Sequence, residues 1–122
     1  MDLIRQLGPL ALASRIRRLA EWLYKDGARI YREQSVDFEP RWFTLFYLLK
    51  ESGSVPVTVA ASALGFSHPA INQIAGEMSR RGFLESIKDK KDERRHLLRL
   101  TKKGKAAISL LQPVWTDIEA AA

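Results

Sequence analysis

The sequence contains no cysteine among its 122 residues and only two histidines. The absence of cysteine excludes disulfide bonds, thiolate metal sites and thiol-based redox sensing. A metal site built from His68 and His96 would need the two side chains to converge, but they lie on separate predicted elements. No glycine-rich phosphate loop or paired-carboxylate motif occurs either. We therefore expect no catalytic residue, no metal and no cofactor, and the chain is not expected to be an enzyme.

Long uncharged apolar runs are also absent. The N-terminal segment MDLIRQLGPLALASRIRRLAEW carries Asp2 and Arg5 near its start, and three further arginines interrupt it. No window reaches the ~18 apolar residues of a membrane span, and the segment lacks the pattern of a signal peptide. We expect a soluble cytoplasmic protein that does not contact a membrane. The length predicts one domain, residues 1–122.

Positive charge is abundant and is concentrated in one segment. The net charge is +6, and residues 85–105 hold nine basic and four acidic side chains. Five of the six excess charges therefore lie within 21 residues. Such a field attracts polyanions such as nucleic acid, although a solvated run of charges is the alternative.

The apolar spacing predicts a mainly helical chain with one β-hairpin. We expect a long amphipathic helix over residues 10–32 and a buried helix that begins at Pro40. Two strands, Phe83–Lys88 and His96–Leu100, are expected to flank a charged turn. Thr101 is expected to cap a last helix, which Pro113 kinks or restarts.

Between these elements, two short helices are predicted on either side of Gly65-Phe66-Ser67. Thr58 is expected to cap the first, Val59–Leu64, and Ser67 to cap the second, which reaches about Arg81. A three-residue turn with glycine between two helices, followed by a charged hairpin, predicts a winged helix-turn-helix. The side chains expected to pack inward are Leu64, Phe66, Ile71, Ile74 and Met78.

The opposite face of the second helix is polar at its N-terminal half. A helix that enters a major groove contacts base edges with such side chains. The residues predicted to bind DNA here are Ser67, His68, Pro69, Asn72 and Gln73. The alternative is a solvated face on which Ser67 acts only as a cap.

The charged turn predicts a second DNA contact. Asp92 is expected to accept a hydrogen bond from the guanidinium of Arg94 and to orient it toward a minor groove. Lys90, Lys91 and Arg95 are expected to meet phosphates. The alternative is a surface ion pair of little energetic value.

The wing sequence DKKDERRHLLRLTKKG resembles that of the MarR family of bacterial transcription regulators. The shared pattern comprises Asp92, Arg94, Leu97, Leu98, Leu100, Thr101 and Gly104. The stretch FEPRWFTLFYLLKESGSVPVTVAASALGFSHPAINQI is similar to a branch in which such a domain can precede a GNAT-type acetyltransferase. The resemblance implies a winged core at about residues 40–101, flanked by dimerisation helices at about 8–33 and 102–122. It further implies a homodimer that binds pseudo-palindromic double-stranded DNA. The helix 67–81 is then expected in the major groove and the wing 88–95 at the minor groove. The mode of action that the resemblance implies is repression.

Two questions stay open at this stage. The family binds small-molecule effectors near its dimer helices, and the aromatic residues Trp22, Tyr31, Trp42, Phe46 and Tyr47 could line such a pocket or could form core. A winged helix can also serve as a protein-interaction or regulatory module, fused to or partnering an acetyltransferase, because a fold does not dictate its function.

Overall fold

The structure is a computed structural model, and it describes residues 11–33 and 37–121. The chain divides into two units, Met1–Pro40 and Arg41–Ala122. The single domain expected from the chain length stays a prediction. None of the helices in the described ranges is long and apolar enough to cross a membrane.

The first unit consists mainly of helix α1, Leu12–Glu33, which confirms the helix predicted at residues 10–32. Its apolar stripe, formed by Leu12, Ile16, Leu19 and Leu23, is more than half exposed at every position. Tyr31 is the buried residue of this helix, and its ring packs edge-on against Phe38 at 5.1 Å between centroids. A single chain therefore leaves most of the apolar surface of α1 in contact with water.

The second unit contains four helices and three strands. A 3-10 turn, Pro40–Trp42, precedes them. The helices are α2 (Phe43–Ser52), α3 (Val57–Leu64), α4 (His68–Arg80) and α5 (Lys102–Ala121). The strands are β1 (Val55–Pro56), β2 (Leu84–Lys88) and β3 (His96–Leu100). The predicted mainly helical fold with a hairpin wing is thus confirmed.

The three strands form an antiparallel sheet in the order β1-β3-β2. Leu84 lies opposite Leu100, and both side chains are buried. The sequence predicted the hairpin of β2 and β3 but not the pairing of a third strand with it. The third strand forms because Val55 and Pro56 pair with Leu98 and Leu97 across the free edge of β3.

The core of this unit forms where α2, α4 and α5 each bury one face. Seven large side chains are almost fully withdrawn from water: Trp42, Leu45, Phe46, Leu49, Ile71, Met78 and Leu111. Burial of such a side chain contributes about 1.5–3 kcal/mol, so this cluster dominates the stability of the unit. Because Ile71 and Met78 belong to α4, the same packing presents the opposite face of α4 to solvent.

Thr101 and Gly104 join the sheet to α5. The hydroxyl of Thr101 donates to the carbonyl oxygen of Gly82 and accepts from the Gly104 N–H at 3.0 Å, which confirms the predicted cap. A Cβ atom at Gly104 would overlap the carbonyl oxygen of Phe83. Glycine is therefore required here by close approach of two backbones.

Two local predictions, for Thr58 and Phe66, were wrong, and one alternative for Pro113 is excluded. Helix α3 begins at Val57 with Pro56 as its N-cap, so Thr58 lies inside the helix and does not cap it. Pro113 lies within α5, which continues without a restart, and the alternative of a kink at Pro113 stays a prediction. Phe66 is 38% exposed because it belongs to the turn itself, where its N–H donates to the carbonyl oxygen of Ala61 at 3.0 Å.

Candidate nucleic-acid interface

The turn between α3 and α4 is made by Gly65 and Ser67. Gly65 adopts a left-handed backbone conformation with φ of 69°, which lets the chain reverse without steric strain. The Ser67 Oγ accepts a hydrogen bond from the Ala70 N–H at 3.2 Å and so caps α4, as predicted. The N-terminus of α4, the positive end of the helix dipole, therefore starts at a defined point on the surface.

The two faces of α4 differ sharply in burial. Ile71, Ala75 and Met78 are buried on the inner face. The predicted DNA-binding residues of this helix are all exposed, and they are Ser67, His68, Pro69, Asn72 and Gln73. The structure thus brings these five side chains together on one accessible surface at the N-terminal half of α4.

The wing, residues 88–95, is closed at its base by Asp89 and Arg95. The Oδ2 atom of Asp89 accepts from Arg95 Nη2 at 2.9 Å and from Arg95 Nε at 3.1 Å. The Oδ1 atom accepts from the Lys91 N–H at 2.9 Å, and the Asp89 N–H donates to the Arg95 carbonyl oxygen at 2.9 Å. These bonds hold the two ends of the charged turn together.

Asp89 is the one buried charged residue in the described parts of the second unit. The Lys91 backbone N–H, and then the Arg95 guanidinium, stabilise the carboxylate and hold the pKa of Asp89 below its ordinary value. Its role was not foreseen from the sequence. A signal was nevertheless present, because Asp89 and Arg95 directly follow and precede the predicted strands and must face each other at the base of the hairpin.

Asp92 makes a different contact from the one predicted. Its Oδ1 atom accepts from the backbone N–H of Arg94 at 3.1 Å, not from the guanidinium. The predicted partner residue of Asp92 is therefore correct, but the predicted donor group was wrong. The turn from Asp92 to Arg94 is tight, so the backbone N–H of Arg94 lies within hydrogen-bond distance of the carboxylate. Asp92 shapes the turn, and the Arg94 side chain is exposed.

The basic residues of the wing fall into two groups. Lys90, Lys91 and Arg94 are exposed and carry the positive charge of the wing. Arg95 is about half exposed, and its guanidinium is engaged by Asp89. The structure therefore gives Arg95 a role in holding the wing together, beside the phosphate contact expected from the sequence.

The C-terminal half of α4 is anchored by Glu77, which sequence reasoning missed. Its Oε2 atom accepts from Arg41 Nε at 2.7 Å and from Trp42 Nε1 at 2.9 Å. The bond from Arg41, and then the bond from Trp42, lower the pKa of Glu77. No local pattern could have indicated this contact, since 36 residues separate Glu77 from Arg41.

The aromatic residues proposed as a ligand pocket are not all accessible. In the second unit Trp42 and Phe46 are fully buried, which agrees with the interpretation that they form core. Tyr47 is 42% exposed, with its ring 6.1 Å from that of Trp115. In the first unit Trp22 is 71% exposed and Tyr31 is buried.

Residues suited to other chemistry do not cluster in the described ranges. Within residues 11–33 and 37–121 no three His, Asp or Glu side chains come close enough together to hold a metal ion. His68 lies at the start of α4 and His96 at the start of β3, as the sequence indicated. This unit thus carries a polar helix face and a basic hairpin.

Comparison with known proteins agrees with this geometry. Residues 36–95 match the sequence model of the MarR family. No curated protein sequence matches the chain.

Solved structures share the fold at low sequence identity. The chain is similar to Staphylococcus aureus MepR in a complex with DNA, at 18% identity and a TM-score of 0.75, over 90% of this chain and 80% of that one. It is similar to a mutant of Escherichia coli MarR complexed with operator DNA, at 20% identity and a TM-score of 0.70, over 98% and 83%. It is also similar to Bordetella bronchiseptica BpsR, at 18% identity and a TM-score of 0.67, over 87% and 77%. Residues 36–95 therefore resemble the MarR family in sequence, and the second unit has the winged helix-turn-helix fold of these solved structures.

Proposed function

We propose that the chain is a sequence-specific, double-stranded-DNA-binding transcription regulator that acts as a homodimer. The observation that carries the proposal is the joint position of two surfaces in one unit. The polar side chains of the N-terminal half of α4 are exposed, and the same unit carries a hairpin with a closed, hydrogen-bonded base and exposed cations. Helix faces of this kind contact bases in major grooves, and basic hairpins contact the backbone.

Each exposed side chain of α4 has a suitable role in a major groove. The amides of Asn72 and Gln73 can pair with an adenine edge through one donor and one acceptor. Ser67 already accepts from Ala70, so its hydroxyl proton is available to a phosphate oxygen at the positive end of the helix. His68 lies at the first position of the helix, where it can approach a base edge.

The wing supplies the second contact in this proposal. Arg94 enters the minor groove, where the potential is most negative in narrow A·T-rich segments. Lys90 and Lys91 bind phosphates and carry no sequence information. Because Asp89 and Arg95 hold the base closed, the tip loses little conformational freedom when it binds.

The homodimer rests on the exposed stripe of α1. Leu12, Ile16, Leu19 and Leu23 follow helical spacing and are more than half exposed in a single chain. A stripe of this kind marks an interaction surface. In a two-fold dimer, two copies of α4 would meet half-sites about one DNA turn apart, ~34–36 Å. We expect the single substitution Leu19→Glu to reduce the mass measured by light scattering from that of a dimer to that of a monomer.

We further propose that the protein is a cytoplasmic repressor and that a small molecule controls its binding to DNA. A dimer bound over a promoter excludes polymerase. The DNA binding of B. bronchiseptica BpsR is regulated by 6-hydroxynicotinic acid, and Streptococcus agalactiae PefR binds heme. We extend such control to this chain, and Trp22 and Tyr47 are the accessible members of the predicted aromatic set.

The main test is a titration of the chain into labelled DNA from upstream of its own gene, followed by fluorescence anisotropy. A scrambled duplex is the control, and both are measured at several salt concentrations. We expect the native duplex to bind at least ~10³-fold more tightly than the scrambled one, with affinity that falls steeply as salt rises. Absence of binding to either duplex at low salt would contradict the proposal and would favour an acidic protein partner, including an acetyltransferase.

Two variants separate DNA binding from protein binding. Arg94→Ala should weaken binding to every duplex, whereas His68→Ala should change the sequence preference. A protein-interaction module would show neither effect.

A further inference from the structure

Gly76 occupies the centre of the outer face of α4. It lies one helical turn beyond Asn72 and Gln73. Since successive residues of a helix are rotated by about 100°, Gly76 lies almost opposite the buried side chains Ile71 and Met78. Glycine inside a helix costs about 1 kcal/mol relative to alanine. Gly76 is half-buried and lies outside the core, so a glycine at this helix position calls for a reason.

Folding supplies no such reason. A Cβ atom placed on Gly76 would meet, among the described residues outside its own turn, one atom within 4 Å, which is Nη1 of Arg80 at 3.4 Å. That distance is an ordinary van der Waals contact with the end of a flexible side chain. Apart from the backbone of α4 itself, no backbone atom of the described residues lies within 4 Å of this Cβ position, in contrast to Gly104, where a Cβ would overlap a carbonyl oxygen.

Arg80 gives the position a charge. The same distance means that its guanidinium folds back over Gly76, toward the side of α4 that carries Asn72 and Gln73. Side chains on helices lean in this direction, toward the N-terminus. The neighbouring Arg81 is used differently, because its guanidinium lies 5.0 Å from the ring of Trp42.

We propose that Gly76 is a close-approach point at which a DNA strand packs directly against the backbone of α4, with Arg80 donating to a phosphate of that strand. This inference rests on the proposed function and adds two residues to its interface. A bare backbone lets the helix sit deeper at the groove than any side chain would allow. The guanidinium that lies over Gly76 in the free protein turns outward by rotation of its own side chain and meets the phosphate there.

The substitution Gly76→Ala tests the inference because it should change stability and binding in opposite directions. Alanine is the better helix former, so the urea midpoint of unfolding should rise. The added methyl group should hold the DNA strand away, so affinity for the specific duplex should fall at least about tenfold. Gly76→Leu should lower affinity further.

Arg80→Gln provides a second, independent measurement. If Arg80 neutralises one phosphate, its loss should reduce the slope of log affinity against log salt by about 0.9. Arg81→Gln is the matched control, and its slope should equal that of the wild type.

The outcomes are distinguishable. Unchanged affinity of Gly76→Ala, with the wild type bound tightly to its duplex, would overturn the inference and leave the proposed function standing. A lowered urea midpoint for Gly76→Ala would overturn it too, because the fold would then explain the glycine. Failure of the wild type to bind any duplex would overturn both.

Discussion

Asp89 and Arg95 lie six residues apart, and one carboxylate oxygen of Asp89 accepts both hydrogen bonds from the Arg95 guanidinium, at 2.9 and 3.1 Å. The second oxygen accepts from the Lys91 N–H. Asp89 therefore links both ends of the wing, whereas Asp92 bonds only the amide of Arg94 within the tip. The two aspartates act on separate parts of one turn.

This separation predicts a specific pattern of amide exchange. Asp89→Ala removes the acceptor of the Lys91 N–H, so hydrogen exchange at Lys91 should accelerate while exchange at Arg94 stays nearly constant. Asp92→Ala is the matched control and should produce the reverse pattern. Equal acceleration at both amides in both variants would show that the tip and the base form one cooperative unit.

The two lowered carboxyl pKa values predict a loss of stability in acid. Folding lowers the pKa of Asp89 and of Glu77, so both contributions are complete above the unfolded values, near pH 4, and disappear as pH falls through the folded values. Urea unfolding of the wild type should therefore show a free energy that declines below about pH 5. The double variant Asp89→Asn, Glu77→Gln should show a shallower decline, and an unchanged slope would contradict these assignments.

Glu77 should be more important for stability than its surface position suggests. Glu77→Ala removes the acceptor of Arg41 and of the buried indole of Trp42, and we expect a loss of about 1–3 kcal/mol in unfolding free energy. Glu77→Gln retains a neutral acceptor and should lose less. Glu85→Gln is the control, since the Glu85–Arg99 pair is nearly half exposed and should contribute at most about 1 kcal/mol. Urea denaturation measures all three, and equal losses for Gln and Ala at position 77 would contradict the role of the Trp42 bond.

Gly104→Ala should have the opposite effect on stability from Gly76→Ala. The added Cβ would collide with the carbonyl oxygen of Phe83, so the joint between α5 and β2 must shift, and we expect a loss of about 1–3 kcal/mol. Thermal unfolding of the two variants side by side tests this contrast. A stabilised Gly104→Ala variant would show that the close approach is easily relieved.

The elements that the sequence predicted well are those specified by neighbouring residues. Gly65 and Ser67 produce the break between α3 and α4 through contacts within five positions. Strand β3 was predicted with its observed ends, and β2 differed by one residue. Thr101 capped α5 as expected because its partner, Gly104, lies three residues away.

The features that the sequence did not predict depend on partners far away in the chain, or on which of several chemically equivalent residues makes a contact. Glu77 meets Arg41 and Trp42 only after α4 packs against the start of α2. Phe66 follows the apolar pattern but lies at the outside of the turn. Asp89, and not Asp92, binds an arginine side chain because of the hairpin register. Lys88 lies opposite His96, so the next pair toward the turn is Asp89 and Arg95.

Pro56 has a consequence for how copies of this protein can associate. It is one of the two residues of β1, which forms an edge of the sheet. Proline has no N–H group, so at this position the edge offers no backbone donor to a strand from another molecule. Sheet growth across molecules, the route to aggregation through exposed edges, is thereby disfavoured on this side.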